Sequence, residues 1–153
     1  MGAVAVSLRV AGRGEDDVFE RLANFASYPE YTSAVRSCDV APGDGGTVVS
    51  SWSVNFRDGV LCWTEADTID HATRRIAFEQ VTGDLEEFSG GWSVEPDDGG
   101  CIVRFRADFD MGVPSLRDLI EPIAERTLEE NIIAVVDGLV EGRAELLDGG
   151  PPP

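Results

Sequence analysis

The chain has 153 residues, 42% hydrophobic and 27% charged, the size and balance of one globular domain with a sizeable core. Its 29 acidic residues face only 12 basic ones, all arginine, and the net charge of −17 argues against nucleic acid or an anionic membrane surface as a partner. No apolar run is long enough for a transmembrane segment, and three widely spaced cysteines (Cys38, Cys62, Cys101) suit a reducing cytoplasm better than a disulfide framework or a metal site.

Ala3 to Ala11 alternates and reads as a first strand rather than a signal peptide. Gly12 and Gly14 break it. Glu15 to Asn24 follows as a helix with Val18, Phe19, Leu22 and Ala23 on its apolar face and acids in its first turn. Pro29 resists simple continuation, so a second short helix is expected over about 28–35. From Arg36 the hydrophobic period becomes two. Strands are expected at about 36–42, 46–57, 59–70, 73–82, 85–96 and 100–111, separated by turn chemistry such as Pro-Gly-Asp-Gly-Gly at 42–46 and Arg-Asp-Gly at 57–59. Such short connections imply an antiparallel meander.

The stretch from Ser115 to Leu147 returns to helical spacing, with Leu116, Leu119, Ile120, Ile123, Ala124, Leu128, Ile132, Val135, Val136 and Leu139 along one face. Ser115 is the expected cap. Pro122 cannot donate to the Asp118 carbonyl, which predicts a kink there: a short lid-like segment, then a long helix from about 122 to 146. The fold class is therefore α+β: a seven-stranded curved antiparallel sheet around a long C-terminal helix, with two short helices between strands 1 and 2. A single domain spans 1–147, and the Gly- and Pro-rich 148–153 is expected to be a disordered tail.

A sheet curled around a helix leaves a cavity, and strand alternation names what faces it. Trp52 and Phe56 share one face with Val54, and Trp63 shares the next strand's face with Leu61 and Ile69; Phe78, Gln80, Phe88 and Trp92 follow. So many aromatics on one concave surface make a flat apolar guest credible. Two inward positions break the apolar rule: Glu65 and Asp67, about 7 Å apart on one strand. Burial and mutual repulsion would raise a carboxyl pKa there, making the pair the acid/base candidates. A one-residue slip or a bulge would instead turn both outward. Thr127 and Asn131 interrupt the helix stripe in line with Ile123, and need either a ligand or the sheet as partner. Tyr28 and Tyr31 either close the cavity mouth or pack the second helix. The single histidine, His71, sits at a turn; no triad, metal motif or cofactor motif is present.

Four stretches carry a family resemblance: Val18-Phe19 with Tyr28-Pro29-Glu30-Tyr31, the segment Val60 to Glu65, Gly83 to Trp92, and Val103 to Met111. Together they resemble the START-like, helix-grip superfamily, chiefly the polyketide aromatase/cyclases and the coenzyme-Q-binding branch, over about residues 3–146. The resemblance implies a protein that holds a hydrophobic poly-β-ketone, often tethered to an acyl carrier protein, and promotes aldol-type cyclisation and dehydration without a cofactor. The alternative it implies is a non-enzymatic carrier of a quinone, isoprenoid or lipid. Where the aromatase/cyclases have a serine and two arginines in the pocket, this sequence aligns Glu65, Asp67 and Gln80. Asn131 matches an asparagine of the family's long helix, and Tyr28 stands where an aromatic gate residue is found. Arginine stabilises an enolate or holds an acidic chain; carboxylates do neither, but they can protonate a departing hydroxyl or remove an acidic α-proton.

Overall fold

A computed structural model describes residues 1–147. The expected tail at 148–153 lies outside the described residues. The elements run β1 (Gly2–Ala11), α1 (Glu15–Ala23), α2 (Tyr28–Tyr31), β2 (Val35–Pro42), β3 (Val48–Phe56), β4 (Gly59–Asp70), β5 (Arg75–Gly83), β6 (Glu87–Asp97), β7 (Gly100–Asp110), α3 (Arg117–Leu139) and β8 (Ala144–Leu146). The sheet is antiparallel with strand order β2-β3-β4-β5-β6-β7-β1-β8. Consecutive strands from β2 to β7 pair through short turns, and β1 returns to the far edge of β7, as a meander closed by its first strand requires.

The alternation places the core. On β7, Cys101, Val103, Phe105, Ala107 and Phe109 are all buried, and on β1 the same holds for Val4, Val6, Leu8 and Val10. The concave face of these strands meets α1 through Val18, Phe19 and Leu22, and α3 through Ala124, Leu128, Val135, Val136 and Leu139. Glycine permits a close strand approach: a Cβ on Gly90 would lie 2.0 Å from the Arg106 carbonyl oxygen.

Several expected boundaries change. The second helix is one turn, Tyr28–Tyr31, preceded by a 3-10 turn at Phe25–Ser27, because β2 already begins at Val35. Ser115 does not cap α3; it lies in a 3-10 turn, Pro114–Leu116, and Leu116 holds the cap position without a side-chain hydrogen bond. The helix is continuous through Pro122 rather than divided there, because the proline falls early enough to remove only one rung of the ladder. It ends at Leu139, not near 146. Glu141 and Gly142 both have positive φ, 57° and 83°, and the Gly142 N–H donates to the Asp137 carbonyl at 2.8 Å, a left-handed C-cap that reverses the chain. The residues beyond then form an eighth strand that pairs with β1 (Leu8 with Leu146, Val10 with Ala144) where seven strands were expected.

The apolar stripe of α3 divides accordingly. From Ala124 onward it is mostly buried. Its front end is not: Leu119 is 66% exposed and Ile123 43%.

Candidate functional site

Between the concave sheet and the second half of α3 lies an internal cavity with about 80 Å³ accessible to the centre of a water-sized sphere. Phe25 and Tyr28 wall it from the α1–β2 segment, Trp52 and Val54 from β3, Trp63 and Glu65 from β4, and Ile76 and Phe78 from β5. Phe88, Trp92 and Phe105 close the far side, and Leu128, Asn131, Ile132 and Val135 project from α3. The rings support one another edge to face: Tyr28 against Trp52 at 5.1 Å, Trp63 against Phe88 at 5.3 Å and Trp92 against Phe105 at 4.7 Å, while the Trp52 and Trp63 indoles stack at 6.1 Å.

The two acids point inward. Glu65 is 5% exposed and lines the cavity; Asp67 is fully buried and does not line it. A bulge does occur beside them, but on the neighbouring strand. Glu65 pairs with Gln80 and Thr64 with Thr82, which leaves Val81 of β5 as the extra residue and the alternation of β4 unbroken.

Around the acids the hydrogen bonds have a fixed direction. An indole N–H can only donate. The Trp63 Nε1 donates to Glu65 Oε1 at 2.7 Å, and the Trp52 Nε1 donates to Ser50 Oγ at 2.8 Å. Ser50, fully buried and directly opposite Glu65, passes its own proton to Asp67 Oδ2 at 2.5 Å. Asp67 Oδ1 is buried and has no hydrogen-bond partner among the described residues.

Burial raises the Glu65 carboxyl well above its ordinary range, and the neighbouring Asp67 raises it further as an acceptor and a like charge; Trp63 and Ser50 pull the other way. Burial raises Asp67 as well, opposed by hydrogen bonds from Glu65 and Ser50. The two titrate as one unit, and burial beside a like charge favours the state in which the pair keeps a proton. Nearby groups are kept neutral. The Tyr28 hydroxyl, buried and facing these acids, is pushed well above its usual value and donates to the Leu22 carbonyl at 2.6 Å; burial followed by the same two acids pushes the Cys38 thiol up to about 12.

The cavity thus gathers Tyr28, Trp52, Trp63, Glu65, Phe78, Phe88, Trp92 and Asn131 from the residues expected to line it. Besides Asp67, five others fall outside. Tyr31 is 45% exposed and borders a surface groove with Arg21 and Leu139, because α2 is too short to turn it inward. Phe56 lies at the end of β3, half-buried against the core. Gln80 donates to the Leu85 carbonyl at 2.9 Å across the β5–β6 turn, which holds its amide away from the cavity. Ile123 belongs to the exposed front of α3, and Thr127 donates to the Ile123 carbonyl of its own helix at 3.0 Å. Asn131 is shared: its Nδ2 donates to the Asn55 carbonyl at 2.7 Å, leaving its oxygen as the free acceptor.

Ser50 was not among the expected site residues. The two-residue turn between Phe56 and Gly59 sets a register in which six steps back on one strand and six forward on the other bring Ser50 opposite Glu65. Phe25 was missed because it lies in a 3-10 turn, where no period reports burial.

Among known proteins, residues 15–136 match the family described as polyketide cyclase / dehydrase and lipid transport. No curated protein matches the sequence significantly. Among solved structures, a Thermus thermophilus protein superimposes with a TM-score of 0.83 at 21% identity, covering 92% of this chain and 95% of its own. A Streptomyces sp. R1128 aromatase/cyclase gives 0.76 at 19% identity, covering 91% of each chain. A START superfamily protein from Mycobacterium smegmatis gives 0.76 at 16% identity, covering 92% and 98%. At these identities the structures agree on the fold alone: a curved antiparallel sheet gripping a long C-terminal helix, the START-like architecture. Among the described residues no helix is long and apolar enough to cross a membrane. With the family match spanning most of its length, the chain belongs to the polyketide cyclase / dehydrase and lipid transport family.

Proposed function

We propose that this protein binds a hydrophobic carbonyl compound of the poly-β-ketone type in the aromatic cavity and promotes aldol-type cyclisation or dehydration, with Glu65 and Asp67 as its acid/base pair. The observation that carries this is a buried carboxyl pair, one of its members at the wall of an apolar cavity. In a dehydration the α-carbon's proton goes to the pair, the C–O bond breaks, and the hydroxyl leaves as water with a proton from Glu65. A double bond remains, and the pair ends as it began. Burial favours both halves, because a pair held near its neutralisation point gives and takes protons readily. Asp67 would act through Glu65, as a positioning residue. A cavity of about 150 Å³ accommodates benzene, so a guest of several rings requires wall residues such as Trp63 or Phe88 to turn aside.

The test is turnover of a poly-β-ketone thioester analogue by Glu65→Gln and Asp67→Asn variants. Each should lose at least about a hundredfold in kcat, the usual worth of general acid–base catalysis, while guest binding stays measurable by tryptophan quenching. Undiminished turnover ends the assignment.

The predominantly apolar wall also suits carriage of a quinone, isoprenoid or lipid without chemistry, in keeping with the transport function in the family's description. Native mass spectrometry of the purified protein separates the two: a retained prenyl quinone or lipid supports carriage.

A further inference from the structure

At and just behind the cavity wall lies a buried acidic pair with no positive partner. Neither Glu65 nor Asp67 has an arginine, histidine or amino group within 4.0 Å among the described residues, and no basic side chain lines the cavity. The pair's own hydrogen bonds, from Trp63 and Ser50, lower the cost of the buried charge without cancelling it. The polar edge of the cavity has few free donors. The Trp52, Trp63 and Tyr28 hydrogens are spent on Ser50, Glu65 and the Leu22 carbonyl, and Asn131 gives one of its two amide hydrogens to Asn55. The Trp92 N–H and the second Asn131 hydrogen remain, beside the Glu65 carboxyl and the Asn131 oxygen as acceptors. The rest of the wall is aromatic.

A buried anion, an excess of acceptors and a surround of π-faces are the recognition chemistry of an organic cation. We propose that the cavity binds a small organic ammonium, a primary or secondary amine carried on a single ring or short chain, with its N–H groups on Glu65 and Asn131 and its charge balanced by the Glu65–Asp67 pair. The inference shares with the acid/base reading only the cavity as binding site, and it does not depend on turnover. At about 80 Å³ the cavity is smaller than one that holds benzene, so a one-ring guest needs a modest displacement of the wall and a polycycle a much larger one. The net charge of −17 steers cations toward the molecule from outside.

Three probes of one shape and different charge test this: benzylammonium, benzyl alcohol and benzoate, titrated calorimetrically. Benzylammonium should bind about tenfold or more tightly than the alcohol, and benzoate should not bind. The preference should persist at about 1 M salt, where exposed charges are screened within about 3 Å; its disappearance would assign it to the acidic surface and overturn the proposal. Glu65→Gln removes the carboxyl that receives the amine's N–H groups, so it should weaken benzylammonium binding more than benzyl alcohol binding. The double variant Glu65→Gln/Asp67→Asn should bind the amine no better than the alcohol. An amine that binds no better than the alcohol to the wild type, or a double variant that retains the preference, overturns the inference. Thermal melts show whether each variant is folded, and the wild-type series decides the matter if the double variant is not. Failure here with Glu65-dependent turnover intact would leave the acid/base reading standing, and amine binding without turnover would do the reverse.

Discussion

At the scale of single residues, the molecule turns on where one proton resides. Trp63 can only give its hydrogen bond to Glu65, and Ser50 gives its hydroxyl hydrogen to Asp67, so these bonds favour the charged acids while burial opposes them. This has a sign in stability. Glu65 binds its proton more tightly when folded than when unfolded, so the native state is favoured by its protonation below the ordinary glutamate value of 4.5, and that stabilisation is lost as pH rises from there toward the raised folded value. Glu65→Gln removes the loss, since glutamine can accept from Trp63 and donate to Asp67 as the protonated acid does. Melting temperatures of variant and wild type should coincide near pH 4 and diverge in the variant's favour through neutrality. A constant difference across that range would place the proton elsewhere. Which acids face inward was legible in the alternation of β4, because a period of two needs no knowledge of the partner strand. Gln80 was not, because the carbonyl that captures it lies across a turn whose shape no period reports.

At the scale of elements, the strands could be read to within a few residues and the helix could not. Alternation with turn chemistry at each end bounds a strand twice, whereas the stripe of α3 simply ran on past its true end. Gly138 belongs to that end. A Cβ there would lie 2.3 Å from the Tyr31 carbonyl oxygen, so α3 and α2 cross at a point where only a hydrogen fits. Gly138→Ala therefore sets a helix-propensity gain of about 1 kcal/mol against an overpacking cost of about 1–3 kcal/mol, with backbone on the receiving side and little room to yield. We expect a net loss of stability in urea unfolding, accompanied by a weaker Tyr28–Leu22 contact; a stabilised variant would mean that α2 moves freely. The eighth strand likewise rests on Glu141 and Gly142, whose positive φ redirects the chain onto β1.

At the scale of the whole molecule, the cavity is walled by the part of α3 that packs well, and the part ahead of it packs poorly. Ala124 to Leu139 carries the buried stripe. Ahead of it, Pro122 removes a ladder rung, and Leu116, Leu119 and Ile123 stand largely in water. Few buried contacts and a broken ladder define a segment of low local stability. Amide hydrogen exchange should be markedly faster over residues 117–122 than over 132–139, and equal protection along the helix would refute the division. The consequence concerns traffic. A chamber walled by interlocked rings admits a visitor only if some of its walls give way, and the turns of α3 that hold those walls are the well-packed ones after Ala124.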